Sequence, residues 1–298
     1  MSRAIIGVSI LALACAALAQ PAPEEAVRIE PVAGNVHVLY GQGGNIGISV
    51  GDDGVFLIDD QYAPATPQIL EALAKLHQEP PRFVVNTHWH GDHTGGNENL
   101  AGKGSVIVAH DRVRERMSTE HFNEFFQRKT PPSPAGALPV VTFSDNLSLH
   151  LNGDEVRATH VANAHTDGDV FIHFRKANVI HTGDLMFSGL YPFVDLDSGG
   201  SVAGVIAGVD RILELADDST QIIPGHGKVT DRAGLVAYRK LLADTSARMR
   251  ELVQAGRTVE EVVAAPPFAE TDAIYAWSFI TAERYIRMLY RDAERALK

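Results

Sequence analysis

The chain has 298 residues, and its 26 basic and 37 acidic side chains give a formal net charge of −11. An acidic chain is a poor partner for nucleic acid, because phosphate affinity comes mainly from lysine and arginine. A single cysteine, Cys15, excludes an internal disulfide. A content of 45% hydrophobic and 21% charged residues is that of an ordinary globular protein with one large domain or two smaller ones.

Residues 1–19 have the pattern of a secretory signal peptide. Arg3 precedes an uncharged, mostly apolar run that ends in Ala17-Leu18-Ala19. We expect cleavage after Ala19 and a periplasmic or secreted mature chain without cysteine, which removes thiolate metal sites and cysteine nucleophiles. The run is short for a membrane span, so no stable membrane insertion of the mature chain is expected. A lipoprotein signal cleaved at Cys15 is the alternative.

The first half of the chain is predicted to alternate strands with helices. Short apolar runs bounded by Gly, Asp and Asn predict strands at residues 36–40, 46–50, 55–58, 82–86 and 106–109. Pro67 and an apolar face at helical spacing predict a helix after the third of these strands. A second helix is expected to begin at Asp111 and to run towards Phe126.

The second half repeats this order and ends in helices. Further strands are predicted at residues 141–143, 147–151, 155–161, 170–174, 178–181 and 221–223. Helical spacing occurs at 201–215 and, with breaks at Gly256 and Pro266-Pro267, from Asp231 almost to the end. Sheets with helices packed outside are the expected architecture. Core packing is the expected role of the terminal helices, and a dimer interface or a lid is the alternative.

Residues 87–93, with the sequence THWHGDH, carry the sharpest chemical signal. His88 and His90 are two residues apart, so on extended backbone their side chains leave on the same side. Gly91 permits the tight turn that brings Asp92 and His93 beside them. Four potential ligands this close together can supply two neighbouring metals from one loop.

Three further candidates each follow an apolar strand, where functional sites are built on a rigid frame: His165, Asp184 and His226. The predicted ligands divide into two sets joined by Asp184: His88, His90 and His165 for one metal, and Asp92, His93 and His226 for the other. Imidazole and carboxylate without sulfur favour two Zn²⁺ ions, with Fe, Mn or Co as alternatives. Two metals about 3.5–4 Å apart lower the pKa of a shared water from about 15.7 towards roughly 7. The predicted nucleophile is therefore metal-bound hydroxide, with Asp92 as both ligand and candidate proton acceptor.

In these residues the sequence resembles the metallo-β-lactamase superfamily. Residues 88–93 match its H-x-H-x-D-H motif, and His165, Asp184 and His226 follow in the order of its later motifs. The resemblance implies an α+β fold, a four-layer αββα sandwich over residues 20–230, with a C-terminal helical extension at 231–298. It also suggests that Asp59, in the element Leu57-Ile58-Asp59, orients a metal ligand, although a plain strand-to-turn residue is the alternative.

The residue at the bridging position bears on the substrate. The resemblance implies cysteine there in one β-lactamase subclass and serine in another, whereas aspartate, as in Asp184, is typical of glyoxalase II thioesterases and N-acyl homoserine lactonases. Lactonases usually carry tyrosine where this chain has Phe187, and export of an acidic chain disfavours a glutathione thioesterase. The expected function is an exported dinuclear zinc hydrolase that opens a cyclic amide or ester in a small molecule. A β-lactam is the first candidate, and lactones and thioesters come next.

Two alternatives remain open from the sequence. Apolar residues after Asp184, among them Phe187 and Tyr191, are predicted either to line a substrate pocket or to fill the core. A non-catalytic periplasmic metal-binding protein of the same fold is the alternative function from a different class.

Overall fold

The computed structural model describes residues 27–298, so the predicted signal peptide lies outside the described residues. The strands are, in chain order, β1 (Arg28–Ala33), β2 (Val36–Tyr40), β3 (Ile46–Gly51), β4 (Gly54–Ile58), β5 (Phe83–Val85), β6 (Val106–His110), β7 (His121–Asn123), β8 (Arg128–Thr130), β9 (Val141–Phe143), β10 (Asn146–Leu151), β11 (Asp154–Val161), β12 (Asp169–Phe174), β13 (Val179–His181), β14 (Phe187–Ser188), β15 (Gln221–Ile223), β16 (His226–Gly227) and β17 (Thr230–Asp231). The helices are α1 (Thr66–Leu73), α2 (Gly91–Thr94), α3 (Asn97–Ala101), α4 (Asp111–Met117), α5 (Val202–Leu215), α6 (Arg232–Gln254), α7 (Val259–Ala264), α8 (Ala269–Tyr275) and α9 (Ala282–Ala296).

Two large sheets account for most of these strands. In the described part of the chain, the first has the order β1-β2-β3-β4-β5-β6-β9 and the second the order β10-β11-β12-β13-β15-β17. The first sheet is an antiparallel meander up to β4 and parallel from β4 to β9. In the second, β10 to β13 are antiparallel and β15 is parallel to β13. The parallel strands need helical crossovers, which is why helices follow them in the sequence.

The core forms between the sheets and on both of their outer faces. Neighbouring side chains on a strand point to opposite faces, and both faces of β4 and β5 are buried, which explains their continuous apolar sequences. Ile58 and Val85 meet Ile172 of the second sheet, whereas Leu57 packs towards Ile69 of α1. Helices α5, α6 and α9 cover the outer face of the second sheet. This layering confirms the predicted four-layer αββα sandwich.

The C-terminal helices pack on the sandwich. Leu242 of α6 and Leu289 of α9 are buried in one cluster with Phe171 of β12. Helix α6 ends just before Gly256, whose φ of 73° suits glycine, and the Thr258 side chain caps α7. Between residues 27 and 298, no helix combines the length and apolarity that a membrane crossing requires.

The prediction of a helix from Asp111 towards Phe126 is wrong beyond Met117. Helix α4 ends there, and the chain turns back through the hairpin β7–β8. Tertiary contacts outweigh the local preference: Asn123 donates a hydrogen bond to the Asp195 carboxylate at 3.1 Å, and Phe126 packs on Phe193. Strand β1 was not predicted, because apolar and polar residues do not alternate regularly in its sequence.

Candidate metal centre

The loop after β5 brings four of the predicted ligands together. Strand β5 ends at Val85, and His90 has extended backbone (φ −64°, ψ 147°) immediately before the single turn of α2. The rings of His88 and His90 have their centroids 4.8 Å apart, as the two-residue spacing predicts. The turn of α2 then carries Asp92 and His93 to a neighbouring position.

The second sheet supplies the other three predicted ligands from the ends of β11, β13 and β15. His165 lies in the turn after β11, Asp184 just after β13, and His226 at the start of the short strand β16. His165 Nε2 lies 2.9 Å from His90 Nδ1 and 3.4 Å from Asp184 Oδ2. Four of the predicted ligands form a first group: His88, His90, His165 and Asp184. Each offers one potential ligand atom, and these four atoms all lie within 4.8 Å of one another.

A second group consists of Asp92, His93 and His226, which also offer one potential ligand atom each within 4.8 Å of one another. His226 Nε2 lies 3.2 Å from Asp92 Oδ2 and 3.4 Å from His93 Nε2. Asp184 connects the groups: its Oδ1 is 3.2 Å from His93 Nε2 and 3.5 Å from His226 Nε2. The structure thus brings all seven predicted ligands together in the grouping that the sequence predicts.

The donor atoms of the centre fit divalent cations. His88 donates from Nδ1 to Thr87 Oγ1 at 3.0 Å, because that hydroxyl already donates to Asp59, so the lone pair of His88 Nε2 faces the centre. His88 Nε2 and Asp184 Oδ1 are buried without a hydrogen-bond partner. Buried polar atoms normally have a partner, and a coordinated cation would satisfy both. The chemistry of the set, imidazole and carboxylate without sulfur, suits Zn²⁺ and similar metals.

Burial and charge set the protonation of the ligands. Burial lowers the pKa of His165 to about 4 and also lowers the pKa of His88, so both imidazoles stay neutral, the form that binds metal. Against the opposing effect of burial, His93 lowers the pKa of both Asp92 and Asp184, and Asp184 raises the pKa of His226 to about 9. Protons held by the second group would compete with a cation, so metal binding there would release protons.

Asp59 lies directly behind His93. Its Oδ2 accepts a hydrogen bond from His93 Nδ1 at 2.7 Å, and its Oδ1 accepts one from the Thr87 backbone N–H at 2.7 Å. Asp59 is fully buried and has a φ of 65°. This contact orients the His93 ring with Nε2 towards the centre, which is the geometry expected of a carboxylate that orients a metal ligand.

Sequence reasoning missed Asp195, which does the same for His90. Asp195 Oδ2 accepts a hydrogen bond from His90 Nε2 at 2.9 Å, which directs His90 Nδ1 inward. Similarly, His165 Nδ1 donates to the Phe193 carbonyl at 2.8 Å. Residues 193–195 lie in an irregular segment without a motif, so only the tertiary structure brings them to the histidines.

Two glycines are required by the packing of the centre. A Cβ at Gly44 would overlap the His93 ring, and one at Gly225 would overlap the Asp184 carboxylate. At both positions the backbone lies so close to a ligand side chain that only glycine, which has no Cβ, fits.

The two predicted pocket residues have different places. Phe187 stacks on the His226 ring with centroids 5.0 Å apart and planes at 17°, so it borders the centre. The prediction for Tyr191 needs correction, because its ring is fully buried against Tyr285 and its hydroxyl donates to Asp272 at 2.9 Å. Tyr191 therefore belongs to the core that holds the C-terminal helices.

The segment between α8 and α9 also reaches the centre, which sequence reasoning did not predict. The Trp277 ring lies 6.1 Å from the His226 ring and 6.4 Å from the Phe187 ring. Phe279 follows it, 5.5 Å from Trp277. Trp277 and Phe279 are large apolar residues in the break between two helices. This position in the sequence is the signal that they do more than pack a helix against the core.

The sandwich carries a buried cluster of His and Asp side chains at the ends of its strands, and this set of donor atoms fits divalent metal. A profile described as the metallo-β-lactamase superfamily matches residues 39–238. The chain belongs to the metallo-β-lactamase superfamily and is a hydrolase of that superfamily with a candidate site for divalent metal.

Individual relatives are distant. The chain is 24% identical to the 2,4-dinitroanisole O-demethylase subunit alpha of Nocardioides sp. (strain JS1661), over 80% of this chain and 69% of that protein. It is also 24% identical to a metallo-β-lactamase type 2 of Bacillus cereus, over 63% of this chain and 69% of the relative. A metallo-β-lactamase from Pontibacter korlensis has the same fold, with a TM-score of 0.61 and 18% identity over 73% of this chain and 99% of the other. The DIM-1 metallo-β-lactamase is similar, with a TM-score of 0.60 and 18% identity over 74% of this chain and 99% of the other.

Proposed function

We propose that this protein is a dinuclear metallohydrolase that cleaves an amide or ester bond in a small molecule, with Zn²⁺ as the first candidate metal. The observation that carries the proposal is the position of Asp184 between the two ligand groups. Its Oδ2 lies 3.4 Å from His165 Nε2, and its Oδ1 lies 3.2 Å from His93 Nε2. One carboxylate that faces both groups favours a pair of metals over two independent sites.

Two bound cations would polarise the substrate carbonyl and lower the pKa of a water towards neutrality. The chain's own residues prepare the centre for this chemistry. Asp59 and Asp195 hold His93 and His90 in orientation through hydrogen bonds of 2.7 Å and 2.9 Å. Asp92 is the partly exposed carboxylate of the cluster, whereas Asp184 is buried, so Asp92 is the better placed to accept a proton during turnover.

The substrate is proposed from the bridging residue and the relatives. Relatives of the chain include metallo-β-lactamases and a hydroxyacylglutathione hydrolase of Gloeobacter violaceus, which is 28% identical over 46% of this chain and 50% of that protein. A cyclic amide of the β-lactam type remains the first candidate, followed by lactones and thioesters. An aryl ether joins the panel because of the demethylase relative.

Metal content and turnover test the proposal together. Purified protein should contain about two divalent metals per chain by mass spectrometry and should hydrolyse at least one member of a panel of a chromogenic cephalosporin, lactones, thioesters and 2,4-dinitroanisole. His88→Ala should lose metal and reduce turnover at least 10²-fold, whereas His150→Ala, an exposed histidine on β10, should change neither. Two bound metals with no turnover of any substrate would instead support a non-catalytic metal-binding protein.

Asp184→Ser tests the bridging role. Removing the carboxylate should lower the metal content towards one per chain and change the rate or the substrate preference. Unchanged metal content and kinetics would contradict a bridge at this residue.

We also propose that the chain is exported and that its signal peptide is cleaved after Ala19. When the full chain is expressed in a bacterium, the protein recovered from the periplasm should have the intact mass of a chain that begins at Gln20. Recovery of the full-length mass from the cytoplasm would contradict it.

A further inference from the structure

A strip of aromatic rings begins beside the second ligand group. Phe187 stacks on His226, and Trp277 lies 6.4 Å from Phe187 and 6.1 Å from His226. Phe279 continues the strip 5.5 Å beyond Trp277. Trp277 and Phe279 come from the C-terminal helical extension, whereas the ligands come from the sandwich.

The strip then returns to the first ligand group. Phe279 stacks on Phe126 of the β7–β8 hairpin, with centroids 5.2 Å apart and planes at 26°. Phe126 lies 5.0 Å from Phe193, and the Phe193 ring is 6.1 Å from His90 and 6.0 Å from His165. The rings therefore run from one group of metal ligands to the other.

The inner and outer rings of this strip differ in exposure. Phe187 and Phe193 are buried, but Trp277 and Phe126 are half-buried, and Phe279 is 41% exposed. Packing of the extension does not explain the exposed rings, because the buried residues Tyr285 and Leu289 already attach it to the sandwich. The exposed rings leave apolar surface facing solvent beside polar ligands.

Hydrogen bonds hold the exposed rings in position. Trp277 Nε1 donates to the Tyr191 carbonyl at 3.0 Å, and the Trp277 backbone N–H donates to the Ile280 carbonyl at 3.1 Å. Arg284 donates to the Phe279 carbonyl at 2.7 Å and lies over the Phe126 ring, 5.8 Å from its centroid. The segment is thus organised as a wall before any ligand arrives, which lowers the entropic cost of binding.

We propose that Trp277 and Phe279 form a substrate-binding wall that makes the site selective for substrates carrying an aromatic ring. Flat rings pack against aromatic side chains by offset stacking and by edge contacts, and such pairs gain more than the area that they bury. The proposal rests on the proposed function, since it assigns the part of the substrate that lies beside the cleaved bond. It makes the C-terminal extension part of the active site.

Ligand binding tests the wall without requiring turnover. The chain has two tryptophans, so in a Trp89→Phe background the fluorescence reports Trp277 alone. Phenylacetate should change this fluorescence in the metal-loaded protein more strongly than acetate, which shares the carboxylate but lacks the ring. In that background, Phe279→Ala should weaken phenylacetate binding about tenfold and leave acetate binding, measured by calorimetry, within about twofold.

Ile274→Ala is the matched control, because Ile274 lies in the same extension and is 66% exposed. It should leave both affinities unchanged. Equal loss of both ligands in Phe279→Ala, no loss of either, or an equal effect of Ile274→Ala would overturn the proposal. Phe279→Leu, which keeps an apolar side chain without the flat ring, should fall between the wild type and Phe279→Ala.

Kinetics provide the second readout. The test substrates are the S-methyl thioesters of phenylacetic acid and of acetic acid, and the release of the thiol measures their hydrolysis. Phe279→Ala should lower kcat/KM about tenfold for the phenylacetyl substrate alone, mainly through KM. A uniform loss for both substrates would contradict the wall. If neither thioester is hydrolysed but phenylacetate binding still depends on Phe279, these thioesters are not substrates and the aromatic wall stands. The proposed reaction fails only when no member of the full substrate panel is hydrolysed.

Discussion

At the scale of single residues, the centre depends on partners that orient each imidazole. Asp59 accepts from His93, Asp195 from His90, and the Phe193 carbonyl from His165. Each of these contacts consumes one ring N–H and leaves the other nitrogen directed into the cluster. The partners therefore determine which ligand atom is presented, although they would not touch the metal themselves.

Asp59→Asn should weaken metal binding. Asp59 accepts three hydrogen bonds, from the Thr87 N–H, the Thr87 hydroxyl and His93 Nδ1, and an amide replaces one acceptor by a donor. The φ of 65° is tolerated by asparagine, so the backbone should persist. We expect metal affinity to fall about 10- to 100-fold in competition with a chromogenic chelator. Asp52→Asn, an exposed residue of the β3–β4 turn, is the control, and equal affinities for the two variants would refute the orienting role.

Asp169 should make stability depend on pH. Burial raises the pKa of Asp169 to about 7, although its carboxylate accepts from the Thr166 N–H and hydroxyl at 2.7 Å and 2.6 Å. A folded-state pKa above the unfolded value contributes stability at low pH that is lost as the pH rises through about 7. Asparagine mimics the protonated form, so the Tm of Asp169→Asn relative to wild type should increase between pH 5 and pH 8. A constant difference in Tm would show that Asp169 stays in one protonation state across this range.

At the scale of elements, α6 and α9 connect the extension to the sandwich. Both helices bury one face in the cluster that covers the second sheet, and Thr245 of α6 lies within 2.8 Å of the Tyr285 hydroxyl of α9. Their packing positions the short segment that carries Trp277 and Phe279. Core packing and a contribution to the site are therefore compatible roles for one extension.

Leu242→Ala should destabilise the fold through this packing. Leu242 is fully buried on α6, and truncation of a buried leucine costs about 2–5 kcal/mol through lost burial and the cavity left behind. On the same helix Val236 is 43% exposed, so Val236→Ala should change the free energy of unfolding by no more than about 0.5 kcal/mol. Urea unfolding of both variants measures the difference. Similar values for the two positions would mean that α6 does not pack as described.

At the scale of the whole molecule, the candidate centre joins the two sheets. His88, His90, Asp92 and His93 follow a strand of the first sheet, whereas His165, Asp184 and His226 follow strands of the second. A cation held by ligands from both sheets would connect the two halves of the sandwich. Its binding free energy then adds to the stability of the folded state.

Removal of metal should therefore lower the Tm. With free metal at about 100 times its Kd, binding contributes about 2.7 kcal/mol, which corresponds to a decrease of roughly 5–10 °C on chelation. Differential scanning calorimetry before and after chelation, and after Zn²⁺ is restored, measures the change. The decrease should be smaller in His88→Ala, and an unchanged wild-type Tm would contradict a cation that links the sheets.

The candidate centre was more predictable than the elements around it. Residues 88–93 are contiguous, so their spacing alone indicates how the side chains of these four ligands are placed. His165, Asp184 and His226 were predicted from their positions directly after apolar strands. The helix predicted beyond Met117 failed because Asn123 and Phe126 gain more from Asp195 and Phe193 than from another helical turn. Local preference is small compared with such tertiary contacts.

The amino-acid sequence by itself predicted most strands of the two large sheets from periodicity, and the ligands of residues 88–93 from their short spacings. His165, Asp184 and His226 followed from their positions after apolar strands, and the αββα class followed from the resemblance to the superfamily. Only the tertiary structure decided that Asp195 orients His90, that Tyr191 belongs to the core, and that Trp277 lies beside His226 with Phe279 next to it. Such contacts join residues that are far apart in the sequence, as in the 105 positions that separate His90 from Asp195. No local pattern encodes such a meeting, since it results from how the sheets and the terminal helices pack.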